Sequence, residues 1–433
     1  MRLKSTSLNS NRALAAILCV YIALALAYSF ADRLKYGPDE PAHFIYIRSL
    51  ATGFTPPPIA NTETHSEAST SSHEGHQPPL YYALMAVPFA VLKAIGTESD
   101  TIWRILRLLN IAFGAVWIYF VYRLSLAYFK ESNEQSVKHS LATTAFVALI
   151  PTSSYMAGVV NNDILIAMLF TWALIPILAL FKTGNMSIRS AAFAGLLIGL
   201  AILAKAQGLL LIPMLLLAGF LSCRRAKYVN AAALARSIVT ALAVIVITSG
   251  WWFARCMAIY GTVMPHSLVN PVLNGSMLTL IFFPLEAVRM IWAMTQSFFS
   301  YFWLPYWLVK DRLPYQPYAT TLSILGAVLF VGLVMRLKRN GDADRRSLCF
   351  MMLAPVAVFA SWVRYVLVVD CGANLQGRLL LPVAAVIGIA TLIGFDGWFR
   401  NSKAGKTCLI AVGVIMICAN IFVLWSTLVL RMA

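Results

Sequence analysis

Apolar runs of about 15 to 22 residues follow one another along most of this chain, and that spacing constrains its fold more than any other feature. A helix needs about 20 such residues to cross a ~30 Å hydrocarbon core, and the backbone of a spanning segment must satisfy its own hydrogen bonds there. With 60% hydrophobic and only 12% charged residues, a soluble domain is excluded. The expected fold is an all-α polytopic membrane protein. Its spans fall near 13–30, 105–122, 141–160, 163–181, 190–204, 207–222, 232–250, 319–335, 347–368, 379–395 and 407–429, about 11 transmembrane helices in one domain over 1–433.

The formal charge of +17 would suggest nucleic acid for a soluble chain; here the positive-inside rule explains it. A cytoplasmic N-terminus places Arg2, Lys4, Arg12, Arg123, Lys130, Lys138, Lys182, Arg189, Arg224, Arg225, Arg336, Arg345, Arg346, Arg400 and Lys403 in short inner loops. The C-terminus then lies outside. Residues 79–95 are apolar enough for a further span, yet counting them would invert every later loop. They are therefore expected to lie on or dip into the outer face as an interfacial helix. The first run reads as an uncleaved signal anchor. Seven cysteines, mostly within spans, make no disulfide framework. Cys256 and Cys371 both fall outside and could pair, with buried free thiols the simpler expectation.

Two larger segments are expected on the outer side, 31–104 and 251–318. In the first, Asn61 to Ser72 is polar and suggests a mobile loop ordered by substrate. The second is aromatic, with Trp251-Trp252-Phe253 and Phe298-Phe299-Ser300-Tyr301-Phe302-Trp303. Interface anchoring accounts for most of these rings, and sugar stacking or contact with a prenyl chain is the alternative.

Ionisable groups near the bilayer are costly, so they are the candidates for chemistry. Gly37-Pro38-Asp39-Glu40-Pro41-Ala42-His43-Phe44 sets two carboxylates and a histidine just past the first span. A capped interfacial helix starting at Pro41 would explain the acids without function. The functional alternative makes one of them a general base toward an acceptor hydroxyl attacking a sugar C1. His73-Glu74-Gly75-His76-Gln77-Pro78-Pro79-Leu80-Tyr81-Tyr82 adds a second polar cluster on the same side, with His76, Gln77 and Tyr81 as candidate substrate contacts alongside His43. Asp163, after Asn161-Asn162, either caps a helix or approaches Asp39 across the bundle. Lys205, Arg255, Arg364 and Arg378 lie at outer span ends, where each could snorkel; as a set they suit an anionic lipid. His73 and Glu74 have the donor types for a divalent metal (Mg, Mn or Zn), but their spacing matches no zinc-helix motif.

The order of these motifs resembles the GT-C superfamily of polyprenyl-phosphate-sugar-dependent glycosyltransferases. Asp39-Glu40-Pro41-Ala42-His43-Phe44, His76-Gln77-Pro78-Pro79-Leu80-Tyr81-Tyr82, Arg107-Leu108-Leu109-Asn110, Asn161-Asn162-Asp163 and Gln376-Gly377-Arg378 carry the likeness over nearly the whole chain. Within that superfamily the chain is similar to protein mannosyltransferases and the lipid A aminoarabinose transferase, and more closely to a bacterial membrane-protein family sharing these motifs. The resemblance implies a periplasmic site on the bacterial inner membrane and an undecaprenyl-phosphate-linked sugar donor. It implies Asp39 as catalytic aspartate, Asp163 as the acid of the second outer loop and Lys205 as a lysine near the phosphate. Gln77 departs from the lysine that the aminoarabinose transferase carries before Pro-Pro, leaving Arg378 as the phosphate contact. No soluble C-terminal domain is expected, so the acceptor, a cell-envelope glycan or lipid, would be recognised by the outer loops or a partner protein. The rivals are a flippase or transporter for lipid-linked sugars, disfavoured by the scarcity of mid-bilayer charge, a glycan polymerase or ligase, and an accessory subunit.

Overall fold

The computed structural model describes residues 2–59, 72–129, 134–225, 230–265, 302–305, 315–339, 342–368, 377–399 and 402–432. The helices are α1 (Arg2–Ala31), α2 (Glu40–Gly53), α3 (Leu80–Ala94), α4 (Ser99–Phe129), α5 (Glu134–Ala148), α6 (Pro151–Ala157) and α7 (Asp163–Thr183). There follow α8 (Ile188–Ala204), α9 (Leu211–Arg225), α10 (Ala231–Tyr260), α11 (Tyr315–Arg339), α12 (Asp342–Val368), α13 (Ala384–Phe399) and α14 (Lys403–Met432). The polar run 61–71, most of the aromatic segment 251–318, Cys371 and Gln376 lie outside the described residues.

Among the described residues, eight helices are long and apolar enough to cross a membrane, and they coincide with eight of the expected spans. Two more expected spans are helical as well: α8 covers 190–204 in 17 residues, and α11 covers 319–335. The bundle is organised on α7, which is buried on nearly all sides, as an all-round apolar helix must be. It packs on α4, α8 and α9 and on a 3₁₀ turn, Gly377–Val383, that precedes α13. Trp117 of α4 fills the α4–α7 contact and donates its indole N–H to Thr171 at 3.1 Å. At the periphery α14 turns Ile410, Val414, Ile415, Ile421 and Trp425 outward.

The expected span 141–160 is not one helix. Pro151 lacks the N–H that would continue the ladder, so α5 stops at Ala148 and a short α6 restarts at Pro151. Past Gly158 the backbone is irregular, yet it is buried, and buried carbonyls need donors. Asn110 of α4 supplies them, its amide nitrogen reaching the carbonyls of Met156, Ala157 and Val159 at 3.0, 3.3 and 2.7 Å. Asn161 adds bonds to Met156 and Val159 at 2.7 and 2.9 Å. This turn delivers the chain to Asp163.

The apolar run 79–95 forms α3, a 15-residue helix packed on α2. At about 1.5 Å per residue it reaches roughly 22 Å, short of a ~30 Å core.

Candidate active site

Asp39 sits in the left-handed region, at φ 57°, a conformation that Asp tolerates better than most residues. It occupies the N-cap position of α2, yet its side chain makes no capping hydrogen bond. The carboxylate points across the molecule instead, where Oδ2 accepts from Arg378 of the 377–383 turn. Arg378 Nε also faces Asp163 Oδ2 at 3.4 Å, and Lys205 Nζ donates to Asp163 Oδ1 at 2.5 Å. Two acids and two cations from four distant segments thus form one chain of charges: Asp39, Arg378, Asp163, Lys205.

Each member is held by local structure. Asn161 Oδ1 accepts from the Asp163 backbone N–H at 2.9 Å, which leaves the Asp163 carboxylate to the cations. Helix α8 ends at Lys205, whose extended backbone turns into the 3₁₀ segment Ala206–Leu210. There Gln207 donates to the Leu379 carbonyl at 3.2 Å, joining the lysine turn to the arginine turn. Asn162 bridges to the Ala204 carbonyl at 3.2 Å and to Gln77 Oε1 at 3.5 Å. Gln77 in turn pairs with the His76 ring at 3.2 Å, so both expected polar contacts border the cluster.

His43 is buried, and its Nδ1 lies 2.9 Å from the Tyr82 hydroxyl. Burial pushes its imidazole below the ordinary histidine range, against the pull of Glu74 and Asp39. A neutral His43 beside the acids can accept or relay a proton. Tyr82 also stacks on Tyr46 with ring centroids 3.8 Å apart, and Tyr81 is fully buried beside it. Glu74 is buried as well, in the turn His73–His76, while the His73 side chain lies outside what the structure describes. Among the described residues no three His, Cys, Asp or Glu side chains gather to hold a metal. Cys256 is buried as a free thiol.

Glu40, the other acid weighed as a general base and a catalytic candidate, stands in a different setting from Asp39. Its carboxylate is fully buried and points away from Arg378, because Asp39's left-handed backbone and the start of α2 turn the two side chains apart. It accepts from Arg107 at 2.7 and 2.6 Å and from the backbone N–H of Val160 at 2.9 Å, of Lys35 at 3.2 Å and of Gly37 at 3.4 Å. Arg107 spends its remaining N–H groups on the carbonyls of Ser29, Asp32 and Arg33. In the sequence Arg107 enters only through the Arg107-Leu108-Leu109-Asn110 motif at the opening of a span; a cation within the first turn of the expected span 105–122 is the available signal. Arg255 also stands apart, lying over the Trp252 ring at 5.1 Å, with Nη1 buried and without a hydrogen-bond partner.

The profile of a family described as "Predicted membrane protein (DUF2142)" matches residues 55–387. The chain belongs to this family. The match takes in Asp163, Lys205 and Arg378 and begins after Asp39. A search of the curated proteins finds no match. Among solved structures the chain is similar to ArnT from Cupriavidus metallidurans in the apo state, with 14% identity and a TM-score of 0.53, covering 93% of this chain and 64% of that one. The same protein bound to undecaprenyl phosphate gives 15% identity and a TM-score of 0.53, covering 93% and 63%. The Archaeoglobus fulgidus oligosaccharyltransferase tethered to an acceptor peptide gives 12% identity and a TM-score of 0.51, covering 96% and 55%. The chain therefore spans between about half and two thirds of the length of these structures and shares the GT-C fold with them.

Proposed function

We propose that this chain is an inverting glycosyltransferase that moves a sugar from an undecaprenyl-phosphate donor to a cell-envelope glycan or lipid acceptor at the periplasmic face of a bacterial inner membrane. The observation that carries this reading is the joined cluster of Asp39, Arg378, Asp163 and Lys205. A lipid-phosphate sugar needs cations for its phosphate and a carboxylate for the attacking hydroxyl, and this cluster holds both kinds of group within one network. Arg378 and Lys205 would receive the phosphate. Asp163, tied to both cations, would hold them in place. Asp39 would take the proton of the attacking hydroxyl as the polyprenyl phosphate leaves with the electron pair of the broken bond. Neighbours in the same fold that carry undecaprenyl phosphate or dolichol-phosphate support the donor class. The periplasmic side is supported by the basic loops expected inside, which would leave Asp39 opposite them.

Transfer by the purified protein in lipid tests the proposal, with a panel of undecaprenyl-phosphate sugars as donors and envelope extract as acceptor. Asp39→Asn is expected to cut transfer by about 10²–10⁴ while the protein stays folded. Transfer at the wild-type rate by Asp39→Asn would remove Asp39 from the chemistry. Failure of wild type to transfer any donor of the panel would favour a carrier or accessory role.

A further inference from the structure

We infer that Arg378 changes partners during the reaction: it holds Asp39 in the resting site, then exchanges it for the donor phosphate, so that donor binding itself releases the base. This inference rests on the glycosyltransferase reading above and assigns that site an order of events. In the structure both cations of the cluster are already engaged, Lys205 with Asp163 at 2.5 Å and Arg378 with Asp39 and Asp163. The charges of Asp39 and Asp163 cancel those of Lys205 and Arg378, and Glu74 adds a further negative charge acting on Arg378. Within this cluster an incoming phosphate finds each cation already paired with a carboxylate, so a carboxylate must give way to it.

The two acids are not equally placed to leave. Asp163 is 3% exposed, is held by both cations and follows a turn locked by Asn110 and Asn161. Asp39 is 27% exposed and meets the network through Arg378. Its backbone is fixed from the next residue, where Glu40 is anchored to Arg107, so release from Arg378 takes the form of a rotation of the Asp39 side chain on a fixed backbone. A guanidinium fork fits phosphate oxygens at least as well as a single carboxylate oxygen. The exchange also answers a chemical difficulty, since a carboxylate clamped by a guanidinium is a poor proton acceptor. Once freed, Asp39 accepts the proton of the acceptor hydroxyl while the acceptor oxygen bonds to the sugar C1. The C1–O bond to phosphate breaks, and its electron pair leaves on the lipid phosphate now held by Arg378. Donor would therefore bind before the acceptor hydroxyl is activated.

The test is equilibrium binding of undecaprenyl phosphate to the full chain in nanodiscs, for wild type, Asp39→Asn, Arg378→Gln and the double variant. Asparagine tolerates the left-handed backbone, so Asp39→Asn removes the charge without refolding the turn. Asp39→Asn is expected to bind about ten-fold more tightly than wild type, the size of a typical coupling between sites. Arg378→Gln should bind more weakly, and adding Asp39→Asn to it should bring no gain. An unchanged or weaker affinity in Asp39→Asn overturns the exchange, as does a gain that persists without Arg378. Should none of the four proteins bind the lipid phosphate, the donor reading fails together with the exchange. Binding by wild type without the Asp39→Asn gain would sink the exchange alone. If Arg378→Gln fails to fold, Arg378→Lys serves in its place; it keeps the charge, loses the fork and should halve or abolish the gain.

Discussion

Arg107 grips Glu40 through both carboxylate oxygens, at 2.7 and 2.6 Å, with both side chains sealed from solvent. The pair ties the end of α1, the start of α2, the body of α4 and the turn before α7 to one point. It thereby fixes the backbone on either side of Asp39 and the approach to Asp163.

Removing one partner should be severe. Arg107→Met leaves a buried carboxylate uncompensated, and a loss of about 3–5 kcal/mol is expected. Replacing a simple buried ion pair by two apolar residues often restores stability, but Glu40→Leu/Arg107→Met should recover little of it. The Val160 N–H and the carbonyls of Ser29, Asp32 and Arg33 would still lack partners, each costing about 1–3 kcal/mol. Denaturation in detergent decides this, and a double variant as stable as wild type would mean those backbone bonds matter little.

Lys205→Met strips Asp163 of its nearer cation and leaves it Arg378 at 3.4 Å. A loss of about 1–3 kcal/mol is expected, with undecaprenyl phosphate binding weakened. Adding Asp163→Asn should restore the stability but not the binding. Recovery of binding in the double variant would show that Lys205 acts only as a counter-ion for Asp163.

Asp32 and His43 should give the protein opposing pH responses. Burial raises the Asp32 carboxyl from its usual 3.8 to about 7, against the pull of Arg107 and a hydrogen bond from Tyr155. The folded state thus keeps a proton that the unfolded chain has already lost. The stability this gives is present at low pH and is lost as pH rises through about 7, by about 2–3 kcal/mol between pH 5 and 7. His43 is depressed, so its contribution is present above ~6.5 and is lost as pH falls below that. In unfolding measured across this range, Asp32→Asn should remove the decline towards neutral pH and leave the opposite slope of His43. A decline that survives Asp32→Asn would have to come from another group.

Two glycines separate a stability effect from a site effect. A Cβ at Gly208 would lie 2.4 Å from backbone atoms of Ala201 and Ile202, beneath the turn that carries Lys205. At Gly195 it would lie 2.4 Å from the Ala241 carbonyl oxygen, where α8 crosses α10. Both alanine variants should lose about 1–3 kcal/mol, since neither clash can be relieved by a side chain alone. Only Gly208→Ala should also weaken undecaprenyl phosphate binding; equal loss of binding in both would mean that the lysine turn has no special role.

Much of the fold is legible in the sequence because hydrophobic length leaves few alternatives, and Asp39, Asp163, Lys205 and Arg378 stand out because charge is scarce in such a chain. Hydropathy averaged across 141–160 hid the break at Pro151, although Pro151, Gly158 and two consecutive asparagines marked it. Adjacency could not choose between Asp39 and Glu40: the positive φ at Asp39 sends one toward Arg378 and the other toward Arg107. Nothing in the spacing pairs Glu40 with an arginine 67 positions later. That partnership exists only once α4 has packed beside the first loop.

Asp39 and Arg378 are 339 residues apart. At about 5–20 residues per second of synthesis, Asp39 would wait on the order of 20–70 seconds for its partner to be made. During that interval a growing chain already embedded in the membrane would hold the carboxylate without the arginine that restrains it. Synthesis of the protein is thus also a timetable, in which the reactive centre closes only when nearly all of the bundle has been laid down.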